Sequence, residues 1–348
     1  MHPLFVKYFQ FIRRALSPSP KGSSLGLDIG ADTLKLVELK KTEKGFNLLD
    51  CRLEPFKGGD IKAVFKKILG SPDPAKTIHT SLYGRGTLIR YIETPRMSLD
   101  DLKKSFTIEI DRYFPFPADQ IYMDCAILPS LPPAKHMSVV AAVAKKSLVD
   151  ERVKLLSEMG YPVEFIGINA AALMNTLNLV KENESSFSNA VVALLDLGET
   201  VSNLNILMNL QPCFTRDILI GAEELTKAIS HNLSISLEEA KEIKEDPKKR
   251  KDEILKICES QIANLIQEIR LSFDYFTTEK NKEVTELLLT GGGAMLQGLV
   301  QMFEKSLEVK VRIWEPLSSL KMASPAAEEI KRRSPQFSVA LGLALEVL

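Results

Sequence analysis

Leu27-Asp28-Ile29-Gly30-Ala31-Asp32-Thr33-Leu34-Lys35 is the stretch that decides the fold. An apolar run leads into an aspartate, a glycine follows, and apolar residues resume beyond it. That is the pattern of a tight hairpin between two buried strands. Glycine lets backbone N–H groups come close to an anion, and an aspartate just before it can hold a metal ion through water. The same plan recurs at Leu195-Asp196-Leu197-Gly198-Glu199-Thr200-Val201-Ser202. A third turn, Gly291-Gly292-Gly293, follows the apolar run Leu287-Leu288-Leu289. Two such hairpins can pinch a phosphate chain from both sides, so the chain reads as a nucleotide clamp.

Outward from the first hairpin, Leu25–Ile29 and Leu34–Leu39 read as strands, with Phe46–Leu53 as a third. A short helix is predicted over Ile61–Leu69, then strands over Thr77–Leu82 and Leu88–Thr94. Residues 95 to 164 form a unit of their own: helix Leu99–Tyr113, strand Ile121–Leu128, a proline-rich turn, strand Met137–Ala144, helix Leu148–Met159, then strand Val163–Ile166. This alternation predicts a small α+β insertion ahead of a helix at Asn169–Leu177. Lys181–Asn189 is polar and reads as a linker. The second half then repeats the opening plan, with Val191–Leu195, a turn, Leu204–Leu207, a hairpin at residues 208–211, and Pro212–Ile220. Such duplication predicts two related domains around a cleft. Residues 223–286 are mostly helical in pattern, and strand Leu287–Leu289, helix Leu296–Leu307, strand Val309–Ile313 and helix Phe337–Val347 complete the chain.

Composition bounds the function. At 348 residues the chain has room for two domains that fold without disulfides. Forty-five basic residues balance 45 acidic ones, so bulk electrostatics gives no reason to invoke nucleic acid. The run Lys248-Lys249-Arg250-Lys251 has acids interleaved around it and reads as a solvated helix edge. Cys51, Cys125, Cys213 and Cys258 are far apart with no C-x-x-C pair, and the four histidines are unpaired at helical spacing. That pattern favours buried thiols in a reducing compartment over a disulfide framework or a zinc site. No uninterrupted apolar stretch of about 18 residues occurs, so no transmembrane helix is expected and a cytoplasmic protein is the reading. The N-terminal arm stands apart. Phe5, Phe9, Ile12 and Leu16 recur at helical spacing beside Lys7, Arg13 and Arg14, and Pro18 and Pro20 stop the pattern. Residues 3–16 suit either a membrane interface or a dock on the protein's own body or on a second copy.

Two Asp-x-Gly turns in register with a glycine-rich turn after a buried strand resemble the actin-like ATPase superfamily, which includes actin, Hsp70, sugar kinases and the division protein FtsA. The resemblance implies an α/β fold in which two ribonuclease-H-like domains close on ATP or ADP with Mg²⁺. Within the superfamily, several stretches look like the PilM family of type IV pilus assembly proteins. They are residues 25–39, Tyr113-Phe114-Pro115-Phe116-Pro117, the second hairpin, Thr215-Arg216-Asp217-Ile218-Leu219-Ile220-Gly221 and Ala340-Leu341-Gly342-Leu343-Ala344. The implied organisation is an arm and linker at 1–24, and subdomain 1A at 25–94 with 165–189. An FtsA-type subdomain 1C follows at 95–164, subdomain 2A at 190–222 with 287–348, and subdomain 2B at 223–286.

Roles follow from the resemblance. Asp28 and Asp196 hold Mg²⁺ through water. Backbone N–H groups of Gly30, Ala31, Asp32 and Thr33, and of Gly198, Glu199 and Thr200, cradle the phosphates with the hydroxyls of Thr33, Thr200 and Ser202. Lys35 is a phosphate contact, with a solvent-facing strand lysine as the alternative. Gly291, Gly292 and Gly293 let the adenosine lie against the backbone, and Glu223 and Lys244 reach toward ribose and purine. Ala31 stands where the family carries Ser, and Asp32 and Glu199 add negative charge beside the phosphates, which opposes binding by Coulomb repulsion. Asn169 occupies a water-orienting position and is a poor general base. The expectation is nucleotide binding with at most weak ATPase activity, or hairpins kept without a ligand.

The resemblance also implies partners: the cytoplasmic tail of a PilN-like inner-membrane protein, in a 1A/1C groove built by residues near 80–165, and the pilus motor ATPases. Such a protein is peripheral at the inner membrane, and self-association stays open. An FtsA-like filament protein and a small-molecule kinase are the alternatives. A kinase needs a general-base aspartate beside a polar pocket, and no such acid is evident.

Overall fold

β1 (Ser24–Ile29) and β2 (Thr33–Thr42) pair antiparallel with Ile29 opposite Leu34, so residues 30–33 make the turn. β9 (Val191–Leu197) and β10 (Ser202–Met208) do the same with Leu197 opposite Ser202, leaving residues 198–201. The two hairpins share one loop length and one register, so Asp28 faces Lys35 as Asp196 faces Asn203. A one-residue slip would put each aspartate on the opposite face of its sheet, so the shared register fixes where the charge points.

The computed structural model describes residues 23–43, 45–56, 61–71, 77–128, 135–161, 163–179, 190–322 and 327–346. The predicted arm up to residue 22, the proline-rich turn at 129–134 and the linker at 181–189 lie outside the described residues. The chain divides into two compact units. The first takes in β1, Leu34–Ala172 and the segment from Ala340 onward; the second takes in Gly30–Thr33 and Leu173–Val339.

In the first unit the strands run β3-β2-β1-β4-β8, where β3 is Gly45–Pro55, β4 is Thr77–Leu82 and β8 is Val163–Ile168. β4 lies parallel to both β1 and β8. Parallel neighbours need crossovers. Helix α1 (Ile61–Leu69) lies between β3 and β4 in the chain and buries Phe65 and Ile68 among Leu25, Leu27 and Ile78. Between β4 and β8 the chain builds a second sheet, β5-β7-β6, from Thr87–Pro95, His136–Lys145 and Ile121–Ile127. Helix α2 (Leu99–Tyr113) packs on that sheet through Leu102, Phe106 and Ile110. Its N-terminus is capped by Ser98, whose Oγ accepts from the Asp101 N–H at 3.1 Å, and Pro115 and Pro117 follow its end. Helix α3 (Lys146–Glu158) leads back to β8, and α4 (Asn169–Asn178) follows.

The second unit repeats the order as β11-β10-β9-β12-β13, with β11 at Gln211–Ile218, β12 at Glu286–Thr290 and β13 at Lys310–Ile313. Helices α5 (Ala222–Leu233), α6 (Leu237–Glu245) and the 30-residue α7 (Lys251–Lys280) fill the stretch between β11 and β12. The core of this unit gathers Leu195, Leu204, Ile206, Leu225, Ile262, Ile269, Phe276, Leu287, Leu289 and Phe303. The duplicated strand–turn–strand plan expected from sequence is therefore a duplicated five-strand order.

Some boundaries differ from expectation. The helix expected from Leu296 begins at Leu299 as α8 (Leu299–Leu307), because Gly298 at φ +94° breaks the run. The last helix is shorter than Phe337–Val347, running Ser338–Ala344 as α10, and a short helix, α9 (Ala327–Arg332), was not foreseen. α10 explains two glycines of the first unit. A Cβ on Gly26 would stand 1.9 Å from the Ala340 carbonyl oxygen, and one on Gly342 would stand 1.8 Å from that of Ala172. All four cysteines are free thiols, and burial pushes those of Cys125, Cys213 and Cys258 up to about 11.

Candidate functional site

At the first turn the Gly30 N–H donates to the Thr33 carbonyl at 3.0 Å, closing the hairpin. Asp28 is buried, and the Lys35 ammonium bonds its Oδ2 at 2.9 Å from the facing position of β2. Lys35 is thus not the solvent-facing strand lysine of the alternative reading. It neutralises the carboxylate that the sequence reading assigned to a metal. Ala31 is exposed at the tip.

Asp32 is buried, and the Lys241 ammonium of α6 bonds its carboxylate. Burial opposes a charge on Lys241, yet the Asp32 hydrogen bond, with Glu199 and Glu245 nearby, holds its pKa above the ordinary lysine value. Glu199, the second tip acid, lies 3.9 Å from the Lys244 ammonium. Lys244 is itself buried, donating to the Ala222 carbonyl at 3.1 Å and the Thr226 hydroxyl at 2.6 Å. Burial drives its pKa down, against the pull of Glu199. Both acids that counted against phosphate binding therefore have a cation from one helix. Lys241 was missed in the sequence. Its spacing of three from Lys244, which places both on one helical face, was the available signal.

The second and third turns are joined. Gly291 has φ +85°, and a Cβ there would stand 2.3 Å from Asp196 Oδ1 and 2.6 Å from the Leu197 carbonyl. Its N–H donates to the Pro335 carbonyl at 3.0 Å. Gly293 packs on Leu197 and Ala222, whereas Gly292 is exposed with no atom within 4 Å of its would-be Cβ. At the start of α5, the Ala222 and Glu223 N–H groups donate to the Gly198 and Glu199 carbonyls, each at 2.8 Å. Gly221 permits this approach, since a Cβ there would meet the Glu199 carbonyl at 2.2 Å. The Ser202 hydroxyl is committed to the Ile220 carbonyl at 2.6 Å, Thr200 is exposed, and Glu223 pairs with Lys227 at 3.1 Å. In the first unit, Asn169 opens α4 and accepts from the Ser81 hydroxyl at 2.6 Å.

The second unit thus gathers Asp196, Gly198 to Ser202, Glu223, Lys244 and Gly291 to Gly293, and the first gathers Asp28, Lys35 and Asn169. The family model for type IV pilus assembly protein PilM matches residues 26–348. The chain belongs to the PilM family. The solved PilM-PilN type IV pilus biogenesis complex contains a chain 25% identical, with a TM-score of 0.81 over 94% of this chain and 99% of that one. FtsA, the cell division protein of Bacillus subtilis (strain 168), is 28% identical over 178 residues. That match takes in 44% of this chain and 38% of FtsA's length. The ethanolamine utilization protein EutJ from Carboxydothermus hydrogenoformans shares the fold, at 15% identity and a TM-score of 0.54, with 97% of this chain and 95% of that chain covered. The fold is the actin-like ATPase fold that the two hairpins predicted. Membership of the PilM family makes the chain a type IV pilus assembly protein. Among the described residues no helix is long and apolar enough to cross a membrane.

Proposed function

We propose that this PilM-family chain binds ATP or ADP with Mg²⁺ through its two hairpins and glycine turn. On this reading it acts as a cytoplasmic scaffold at the inner membrane, holding the cytoplasmic tail of a PilN-like protein. The observation that carries the nucleotide reading is the repeated hairpin, one aspartate at the same register in each copy, with the open backbone of Gly292 beside the second. The donor set fits the ligand. Among the described residues no three His, Cys, Asp or Glu side chains gather as a dedicated metal site. Mg²⁺ is suited to that, since it keeps several waters and is held by one or two carboxylates plus phosphates. The turn N–H groups supply the anion cradle. Bound ATP would supply a phosphoanhydride. Asn169, an amide, cannot take a proton from water, so hydrolysis is slow or absent.

The partner reading is supported by the family match over residues 26–348 and by likeness to the chain solved in complex with PilN. We assign the subdomains as 1A at 25–94 with 165–189, 1C at 95–164, 2A at 190–222 with 287–348, and 2B at 223–286. The PilN-like tail then takes the 1A/1C groove near residues 80–165, and motor ATPases are further partners. Calorimetry with Mg-ATP tests the site: Asp28→Ala and Asp196→Ala should each abolish binding, and retained binding in both refutes the two-hairpin assignment. A PilN-like tail peptide titrated with and without nucleotide then tests the scaffold. The FtsA match favours one alternative, a nucleotide-dependent filament, which sedimentation of the protein with Mg-ATP would reveal as pelleted polymer.

A further inference from the structure

Arg152 of α3 is a charged group that the hairpin site does not account for. Its Nη1 donates to the Thr80 hydroxyl at 3.2 Å and to the Ser81 carbonyl at 2.8 Å. Both acceptors lie toward the carboxyl end of β4, the strand parallel to β1, which itself ends at Asp28 and the first turn. Ligands of open α/β sheets collect at the carboxyl ends of parallel strands. Ser81 links the group to Asn169, since its carbonyl takes Arg152 and its hydroxyl bonds Asn169 Oδ1 at 2.6 Å. Burial holds the guanidinium pKa below the usual arginine value, with Tyr83 and Asp28 acting in the opposite sense.

Asp28 is already matched by Lys35 at 2.9 Å. Among the described residues no carboxylate forms an ion pair with Arg152, and its Nε and Nη2 donate to none of them. The Arg152 side chain is half-buried and its Nε and Nη2 reach solvent, and arginine keeps its charge whatever approaches it. A pin between α3 and β4 needs one donor. Here Nη1 serves as the pin, while Nε and Nη2 form an unspent fork of the shape that grips a phosphate.

We propose that Arg152 binds the terminal phosphate of a nucleoside triphosphate and makes the site favour the triphosphate over the diphosphate; this rests on the nucleotide reading above. The terminal phosphoryl group carries the most charge and the most free oxygens, so an open guanidinium fork gains most from it. The test is calorimetry on the full chain as wild type, Arg152→Gln and Arg152→Lys, with Mg-ATP and Mg-ADP, beside thermal unfolding without nucleotide. Arg152→Gln should weaken Mg-ATP roughly tenfold to hundredfold, the range for a charge-assisted hydrogen bond, while Mg-ADP changes by less than about threefold. Arg152→Lys, which keeps the charge and loses the fork, should fall between. Equal losses for both nucleotides, or no loss in either, overturn the proposal, and equal losses with a lowered unfolding temperature identify Arg152 as a structural pin only. Wild type that binds neither nucleotide overturns the nucleotide reading itself. Wild type that binds both, with Arg152→Gln indistinguishable from it, overturns this proposal alone.

Discussion

Adjacent glycines of the third turn should respond to the same substitution in opposite directions. Gly291 has φ +85°, a conformation that costs an L-residue about 1–2 kcal/mol. Its new Cβ would also sit 2.3 Å from Asp196 Oδ1 and 2.6 Å from the Leu197 carbonyl. The carboxylate can rotate away. The carbonyl is β9 backbone and cannot, so overpacking of about 1–3 kcal/mol adds to the conformational cost. Gly291→Ala should therefore lose about 2–5 kcal/mol. Gly292 has φ −65° and ψ −36° with nothing within 4 Å of the new Cβ. Gly292→Ala should be neutral or gain up to about 1 kcal/mol, because alanine restricts the unfolded chain.

The assay is built into the protein. Trp314 is the one tryptophan and is buried in the second unit. Its N–H donates to the Leu289 carbonyl at 2.6 Å, and its own carbonyl accepts from Thr290 Oγ1 at 3.3 Å, directly before Gly291. Urea unfolding followed by its fluorescence reads the turn's own unit. Equal midpoints for the two variants would refute the geometry. On the proposed reading Gly292→Ala should also weaken Mg-ATP, because its methyl stands where adenosine lies against the backbone, so affinity falls while stability does not.

Gly342→Ala places a Cβ 1.8 Å from the Ala172 carbonyl, so α10 must back off, and urea unfolding should show a loss of about 1–3 kcal/mol; an unchanged midpoint contradicts the packing. Lys244 has its pKa driven below the ordinary 10.5 by burial, so between its folded pKa and 10.5 the unfolded chain binds more protons than the folded one. The stability of wild type relative to Lys244→Met should then rise with pH through that window, and urea midpoints that keep a constant gap as pH climbs toward 10.5 would show the ammonium is not desolvated. Deleting residues 1–20 should abolish binding to anionic liposomes and leave Mg-ATP affinity unchanged; liposome binding that persists removes the arm as the membrane contact.

The hairpins were legible because two periodicities meet there, alternation in the strands and the glycine between them. Sequence alone placed Asp28 and Asp196 at matching positions, and the registers show why: each faces the residue seven positions on, across a turn of the same length. Helices α1 and α2 were legible to the residue because their apolar stripes end at strong stops, Gly70 for α1 and Phe114-Pro115 for α2. What the sequence did not carry is pairing at a distance. Nothing near Asp32 announces Lys241, and nothing near Lys35 says that its ammonium is taken up by Asp28. Arg152 reads as an ordinary helix-surface arginine until β4 is laid beside it. The start of α8 was missed for a local reason, since Gly298 takes a left-handed φ that apolar periodicity does not report.

Those distant pairs change the argument about chemistry. Counted from sequence, Asp32 and Glu199 each add a negative charge beside the phosphates, and repulsion between charges about 4 Å apart is severe in a low-dielectric site. In the structure Lys241 bonds Asp32, and Lys244 stands 3.9 Å from Glu199, both lysines coming from α6. Each tip acid has its cation, so electrostatics no longer opposes phosphate at either turn. The poor general base is untouched by that correction, because Asn169 remains an amide with its oxygen bonded to the Ser81 hydroxyl. On the proposed reading, affinity and turnover rest on different residues and can be lost separately. On that reading, a chain with paired tip charges and no base at Asn169 holds its nucleotide longer than it cleaves it, as a scaffold requires. Asn169→Asp then adds the missing carboxylate without disturbing either lysine pair, and should raise ATP turnover with little change in Mg-ATP affinity. Turnover left at the wild-type level would show that the base is not what limits hydrolysis.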